Sequence, residues 1–313
     1  MVLVRKMLLF FVVCLFLHGA LYAIFTQKFG KGDLWKAEQQ VLYPPQGYRY
    51  LFMGDSRANK AVLLDQIPAA QKWAAGGESV AMRYYKLQRL FDTPKAPQPE
   101  VLLLSHDFSI YAQSNIDYVR NYYYYNQLID YADWSETHHI PFAAAQKTYY
   151  VYRFFPYIES RDIFLRGMEN VFQFGVDNAA QLNEHSAAQN DAIARNFVWN
   201  TLLQKKPATL YSHTGLLYLQ RIIDLCRRQH LPIILLSYPM PDCTQHIVDS
   251  IFPNPPLVSP VDSLLQHYPE VQQWDYSRLF AGKDSLFLDI LHLNPQGAAS
   301  FSQQVAADLA CWE

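Results

Sequence analysis

The chain is short of several things, and each shortage closes off a class of function. Charge is scarce: 17% of 313 residues are charged, the formal net charge is −2, and no long basic run occurs. A nucleic-acid partner needs a dense positive footprint and is not expected. Cysteine is scarcer, with Cys14, Cys226, Cys243 and Cys311 as the full set. None of the Cys/His spacings that hold zinc is present, so no metal is expected. Cys14 falls in an apolar stretch, which leaves three cysteines and room for one disulfide in an oxidising compartment, with the pairing unspecified by spacing. There are no internal repeats, and the one biased segment is a run of tyrosines. Apolar residues are plentiful, at 50% hydrophobic and 15% aromatic. That is enough for one large domain or two small ones with a sizeable core.

The N-terminus differs from the rest. Arg5 and Lys6 precede an apolar stretch over residues 7–25. A basic flank before such a stretch marks a signal peptide or signal anchor, and the length approaches the roughly 20 residues that cross a bilayer. Cleavage after Ala23 is disfavoured because Leu21 stands where a small residue is wanted. Cys14 lacks the small residue before it that lipoprotein processing needs. The expectation is an uncleaved anchor over residues 1–28 and a main domain over residues 29–313. Positive charge stays inside, which puts Arg5 and Lys6 in the cytoplasm and the main domain in the periplasm or outside the cell. His18 reads as a neutral histidine in the outer half of the span.

After a polar lead-in ending at Pro44-Pro45, residues 49–53 read as a strand, followed by a helix from Ser56 to about residue 64. A short strand is expected near residues 71–74, ending at Gly76-Gly77. Residues 78–91 have helical spacing, with Val80, Tyr84, Leu87 and Leu90 or Phe91 on one face. Residues 100–105 form a continuous apolar run, as does a stretch over residues 231–238, and both suit strands buried on two faces of a parallel sheet. An amphipathic helix is expected over residues 216–230. Residues 240–270 read as a proline-rich loop, and a last short strand is expected over residues 274–279. Asn294 is a good N-cap with Pro295 at the first helical position. Residues 108–208 interrupt this rhythm as a helical, aromatic-rich insertion beside or over the site. Alternating strands and helices imply a parallel sheet covered on both faces, with ligands gathered outside the carboxyl ends of its strands.

Three pieces fall at such ends. Ser56, at the close of Gly54-Asp55-Ser56, follows the first strand and starts a helix, where backbone N–H groups lack internal partners and the dipole is positive. Gly54 permits the tight turn, and Asp55 holds it by side-chain bonding to the backbone. A serine is a weak nucleophile until a base takes its proton. His292 is the candidate base, and Asp289, three residues earlier, can fix its tautomer and orientation. The Ser56 N–H and that of Gly77 or Gly76 are candidate oxyanion donors. Each piece alone is common: Gly-Asp-Ser occurs in ordinary turns, and Asp-x-x-His in capping pairs. Their joint placement makes them a site.

With Gly54-Asp55-Ser56, Gly76 or Gly77, and Asp289-x-x-His292, the chain resembles the SGNH (GDSL-like) hydrolase superfamily over most of residues 47–107 and 215–310. The resemblance implies a flavodoxin-like three-layer α/β/α fold and ester or acyl-transfer chemistry without metal or other cofactor. One block departs. The family's Gly-x-Asn-Asp, whose Asn donates to the oxyanion, is replaced here by Leu104-Ser105-His106-Asp107. His106 can donate, Ser105 is a lesser candidate, and Asp107 donates only when protonated. Both His106 and Asp107 read equally well as structural residues.

The insertion carries Tyr118, Tyr122, Tyr123, Tyr124, Tyr125, Tyr131 and Trp134, then Tyr149, Tyr150, Tyr152, Phe154, Phe155 and Tyr157. Such rings suit sugar faces, helix packing or a membrane surface, and Arg120, Arg153 and Arg161 lie among them. The expectation is an anchored esterase or acyltransferase acting on acetyl or other acyl esters of an envelope glycan. Two rivals are an accessory role beside an integral membrane O-acyltransferase and a non-catalytic protein on a hydrolase scaffold.

Overall fold

A computed structural model describes residues 2–29, 47–107, 109–112, 128–155, 182, 185–203, 211–251 and 260–312. Its helices are α1 (Val2–Phe29), α2 (Ser56–Ala61), α3 (Val80–Asp92), α4 (Tyr131–His138), α5 (Phe142–Phe154), α6 (Ala187–Arg195), α7 (His213–Arg228), α8 (Asp242–Ile251), α9 (Pro260–Leu265) and α10 (Pro295–Trp312). Its strands are β1 (Tyr50–Gly54), β2 (Ala70–Ala74), β3 (Val101–Ser105), β4 (Ile233–Ser237) and β5 (Gln272–Asp275). Contacts divide the chain into two compact units, residues 1–39 with 120–177 and residues 40–119 with 178–313. The stretch 108–208 therefore contributes to both.

The second unit holds a five-stranded, all-parallel sheet in the order β2-β1-β3-β4-β5. The α/β class with a parallel sheet is as expected. Successive side chains of a strand face opposite ways, and β1 and β3 are buried along their full length. Tyr50, Phe52, Val101, Leu103, Ile234 and Leu236 enter one core with Ala58 of α2, Ile247 of α8 and Phe301 and Val305 of α10. The alternate residues Leu51, Met53, Leu102, Leu104, Ile233 and Leu235 are equally buried, and α3 packs against both α7 and β1. This two-sided burial is why the strands read as unbroken apolar runs.

Gly54 ends β1 where there is room for no side chain. A Cβ there would lie 1.9 Å from Ser105 Oγ and 2.5 Å from Ala58 Cβ. Gly54→Ala should therefore destabilise the fold by about 1–3 kcal/mol, the usual range for overpacking. A denaturant titration checks this, and an unchanged midpoint would contradict the close packing.

Three local expectations are corrected. Residues 240–270 are not a loop, because they contain α8 and α9. Pro241 precedes α8 and Pro260 takes the first position of α9, where no N–H is needed, while Cys243 and Ile247 of α8 turn inward. The last strand is β5, two residues earlier than expected, and largely exposed at the sheet edge. In α3 the inward set extends beyond the apolar stripe: Arg83 and Lys86 are buried, whereas Tyr84 and Phe91 are only partly so. The four cysteines are free, with Cys226 and Cys243 buried and Cys14 and Cys311 exposed.

The first unit contains α1, α4 and α5. Within α1, Val4–Ile24 is 21 residues long with mean hydropathy 2.4, long and apolar enough to cross a membrane, and none of it is buried. Asp130 caps α4 through the Ala132 and Asp133 N–H groups, and His139 closes it with φ 54°. Tyr131 of α4 meets Tyr149 of α5 edge-on with centroids 5.2 Å apart. Tyr118, Tyr122, Tyr123, Tyr124, Tyr125, Tyr157, Arg120 and Arg161 lie outside the described residues.

Candidate active site

The strand order reverses between β1 and β3, and in open parallel sheets that crevice at the carboxyl edge collects ligands. Ser56 stands there as the first residue of α2, held by Asp55, the N-cap, whose Oδ1 accepts from the Arg57 N–H at 2.9 Å. Gly76, just beyond β2, lies alongside: a Cβ on it would sit 3.9 Å from Ser56 Cβ. Gly77 follows with φ +70°. Both glycines follow β2, and Gly76 lies beside Ser56.

The base comes from the other end of the chain. His292 Nε2 is 2.9 Å from Ser56 Oγ. His292 Nδ1 is 2.9 and 2.8 Å from the two Asp289 carboxylate oxygens. The Leu291 and His292 N–H groups also donate to Asp289 Oδ1, each at 2.9 Å. Burial by itself raises the Asp289 pKa, but these bonds and the His292 ring outweigh it and hold the carboxyl below its ordinary value. Ionised, it can accept the Nδ1 proton and leave Nε2 to accept from Ser56.

A small loop presents this pair. Phe287 and Leu293 bridge antiparallel, and the Leu288 N–H donates to the His292 carbonyl at 2.7 Å. Thr244 Oγ1 of α8 donates to the Ile290 carbonyl at 2.6 Å. Asn294 caps α10 by accepting from the Gly297 N–H at 3.0 Å. Its own N–H donates to the Leu286 carbonyl at 3.0 Å. A Cβ on Gly297 would come within 2.2 Å of that carbonyl, so glycine lets α10 close onto the loop.

Arg57, next to the serine, was not singled out by the sequence. It is buried, and its Nη2 donates to Asp55 Oδ2 at 3.1 Å, Asp107 Oδ1 at 2.5 Å and Ser109 Oγ at 2.5 Å. Burial works against the guanidinium charge, but Asp107 and Asp55 push its pKa up. Asp107 Oδ1 also accepts from the Ser109 N–H and Oγ. Asp107 Oδ1 is thus an acceptor tied to a cation. His106 Nδ1 bonds the Tyr111 hydroxyl at 2.9 Å, and burial lowers its pKa. Its backbone N–H donates to the Leu236 carbonyl at 2.8 Å. Ser105 is fully buried against Gly54. A second buried set continues beneath: Glu78 contacts Lys86, and Arg83 donates to the Glu78 and Ser105 carbonyls. The exits of β1, β2 and β3 are thereby tied together by buried charge.

Asp55 supplies a pH test. Burial raises its pKa, but Arg57 and Arg83 outweigh this and bring it from 3.8 to about 2. A depressed carboxyl contributes stability that is complete above its unfolded value and lost as pH falls through the folded one. Unfolding stability should therefore drop between pH 3.8 and about 2. Asp55→Asn should flatten that part of the curve in denaturant titrations across pH, and an unchanged slope would contradict the assignment.

Among the described residues, no group of three or more His, Cys, Asp or Glu side chains is placed to hold a metal ion. Compared with known proteins, the chain matches no family model and no curated protein.

Proposed function

We propose that the protein is a membrane-anchored, SGNH-like serine esterase or O-acyltransferase acting on acyl esters, foremost acetyl esters, of an envelope glycan. The carrying observation is the unbroken hydrogen-bonded line from Ser56 Oγ through His292 to Asp289. A serine, a base and an orienting carboxylate in this relation form the nucleophile arrangement of acyl transfer. The sheet order 2-1-3-4-5 fits a flavodoxin-like fold with its site at the switch point.

In this mechanism Ser56 Oγ attacks the acyl carbonyl as its proton passes to His292 Nε2. The developing oxyanion meets the N–H of Ser56, at the start of α2, and that of Gly76 or Gly77. His292 returns the proton to the leaving alcohol oxygen as the C–O bond breaks, which leaves an acyl group on Ser56. Water or a glycan hydroxyl then attacks that ester, with His292 again taking and returning a proton. Each oxyanion donor contributes on the order of 10²- to 10³-fold. The third-block position here binds Arg57, so a two-donor hole fits the chain.

Positive charge at Arg5 and Lys6 supports a periplasmic or external main domain. The missing third donor favours one second reading, transfer beside an integral membrane O-acyltransferase. Feeble hydrolysis of soluble esters with loss of glycan acylation on deletion would select it. The primary test is turnover of an activated acetyl ester by the purified full chain. Ser56→Ala should abolish it, and retained turnover would sink the proposal.

A further inference from the structure

Helix α5 carries an outward apolar face. Phe142, Tyr150 and Phe154 are 48%, 54% and 54% exposed, and Ala143, Ala144, Gln146 and Lys147 between them are exposed too. At about 100° per residue these seven positions fall in one arc of about 200°. The opposite side packs inward through the buried Ala145, and Tyr149 meets Tyr131 of α4.

The end of this helix touches the membrane span. The ring of Phe155, its C-cap, meets the His18 ring edge-on with centroids 4.9 Å apart. His18 lies six residues (24 − 18) inside the Ile24 end of the span Val4–Ile24. At 1.5 Å per residue that is a depth of about 9 Å. Helices that lie in a membrane interface bury their apolar face by about 5–10 Å. The depth therefore agrees with a helix resting in the leaflet. The span is unburied, so lipid is its natural surrounding. Tyrosine at position 150 favours the interface.

We propose that α5 is an interfacial helix: its Phe142, Tyr150 and Phe154 face sits in the bilayer leaflet at the C-terminal end of the α1 span. The protein then meets lipid at two places, one spanning and one lying flat. This holds whether or not Ser56 is a nucleophile.

The test uses the full chain, with Cys14→Ser and Cys311→Ser, in vesicles of phosphatidylcholine and phosphatidylglycerol. Spin labels are placed in turn through Tyr150→Cys, Phe154→Cys and, on the sheet unit, Arg228→Cys. Collision with oxygen, which partitions into lipid, is compared with collision with a water-soluble nickel chelate. The oxygen-to-nickel ratio should be several-fold higher at positions 150 and 154 than at 228. Nickel access at both positions as free as at 228 would overturn the proposal. Exclusion of both reagents from both labels would overturn it too, because that marks a protein contact by a second copy or another chain. All three labelled positions are surface sites, so the result does not depend on one variant folding.

Discussion

Replacing His292 by alanine should lower turnover of an activated acetyl ester on the order of 10⁵- to 10⁶-fold, the scale on which losing one member of such a unit acts. Among the described residues His292 is the one base within hydrogen-bond reach of Ser56 Oγ, at 2.9 Å. Without it the hydroxyl keeps its proton, and neither step has a general acid. Asp289→Asn should cost less, on the order of 10⁴-fold, because the ring stays in place while its tautomer is no longer dictated. Thermal melts of both variants separate lost chemistry from lost folding. A few-fold effect at His292 in a folded variant would mean that turnover arises elsewhere.

The second large effect is on stability. Arg57→Met keeps the aliphatic stem but removes the cation that Asp55, Asp107 and Ser109 share. Two carboxylates would be left inside with no cation between them, and breaking a buried pair in this way costs about 3–5 kcal/mol. Against a total stability of about 5–15 kcal/mol for a typical domain, that is a large fraction. Arg57→Met with Asp107→Asn should recover part of the loss, since one orphaned charge is removed as well. The measurement is the unfolding midpoint in urea. A single variant as stable as the parent would show that the guanidinium adds nothing to the fold.

Much of this architecture can be read from the chain because the signals are local. β1, β3 and β4 are uninterrupted apolar runs, and such runs betray strands covered on both faces. Gly54-Asp55-Ser56 combines a strand exit, a cap and a helix start in three residues, and Asp289 and His292 lie within one loop. Arg57 and Asp107 were harder, because their bond spans 50 positions and a charged residue is ordinarily counted as surface. Arg83 and Lys86 were missed for the same reason: the apolar stripe of α3 marks one inward face, and their burial depends on Glu78 and on backbone carbonyls. Proline density hid α8 and α9, although its placement outside or at the start of a helix is compatible with both. The exposed β5 has too few apolar residues to declare its register. The departure in the third block was visible in Leu104-Ser105-His106-Asp107. What fills it was not, because the partner of Asp107 sits beside the serine on another strand exit.

In the proposed mechanism Ser56 is a nucleophile activated by His292 and Asp289. Covalent capture tests it most directly: the full chain is treated with a fluorophosphonate, and the adduct is mapped by mass spectrometry. One adduct is expected, on Ser56, and it should be lost in His292→Ala protein that still melts like the parent. A folded wild-type chain that forms no adduct, or forms it on another residue, would contradict it.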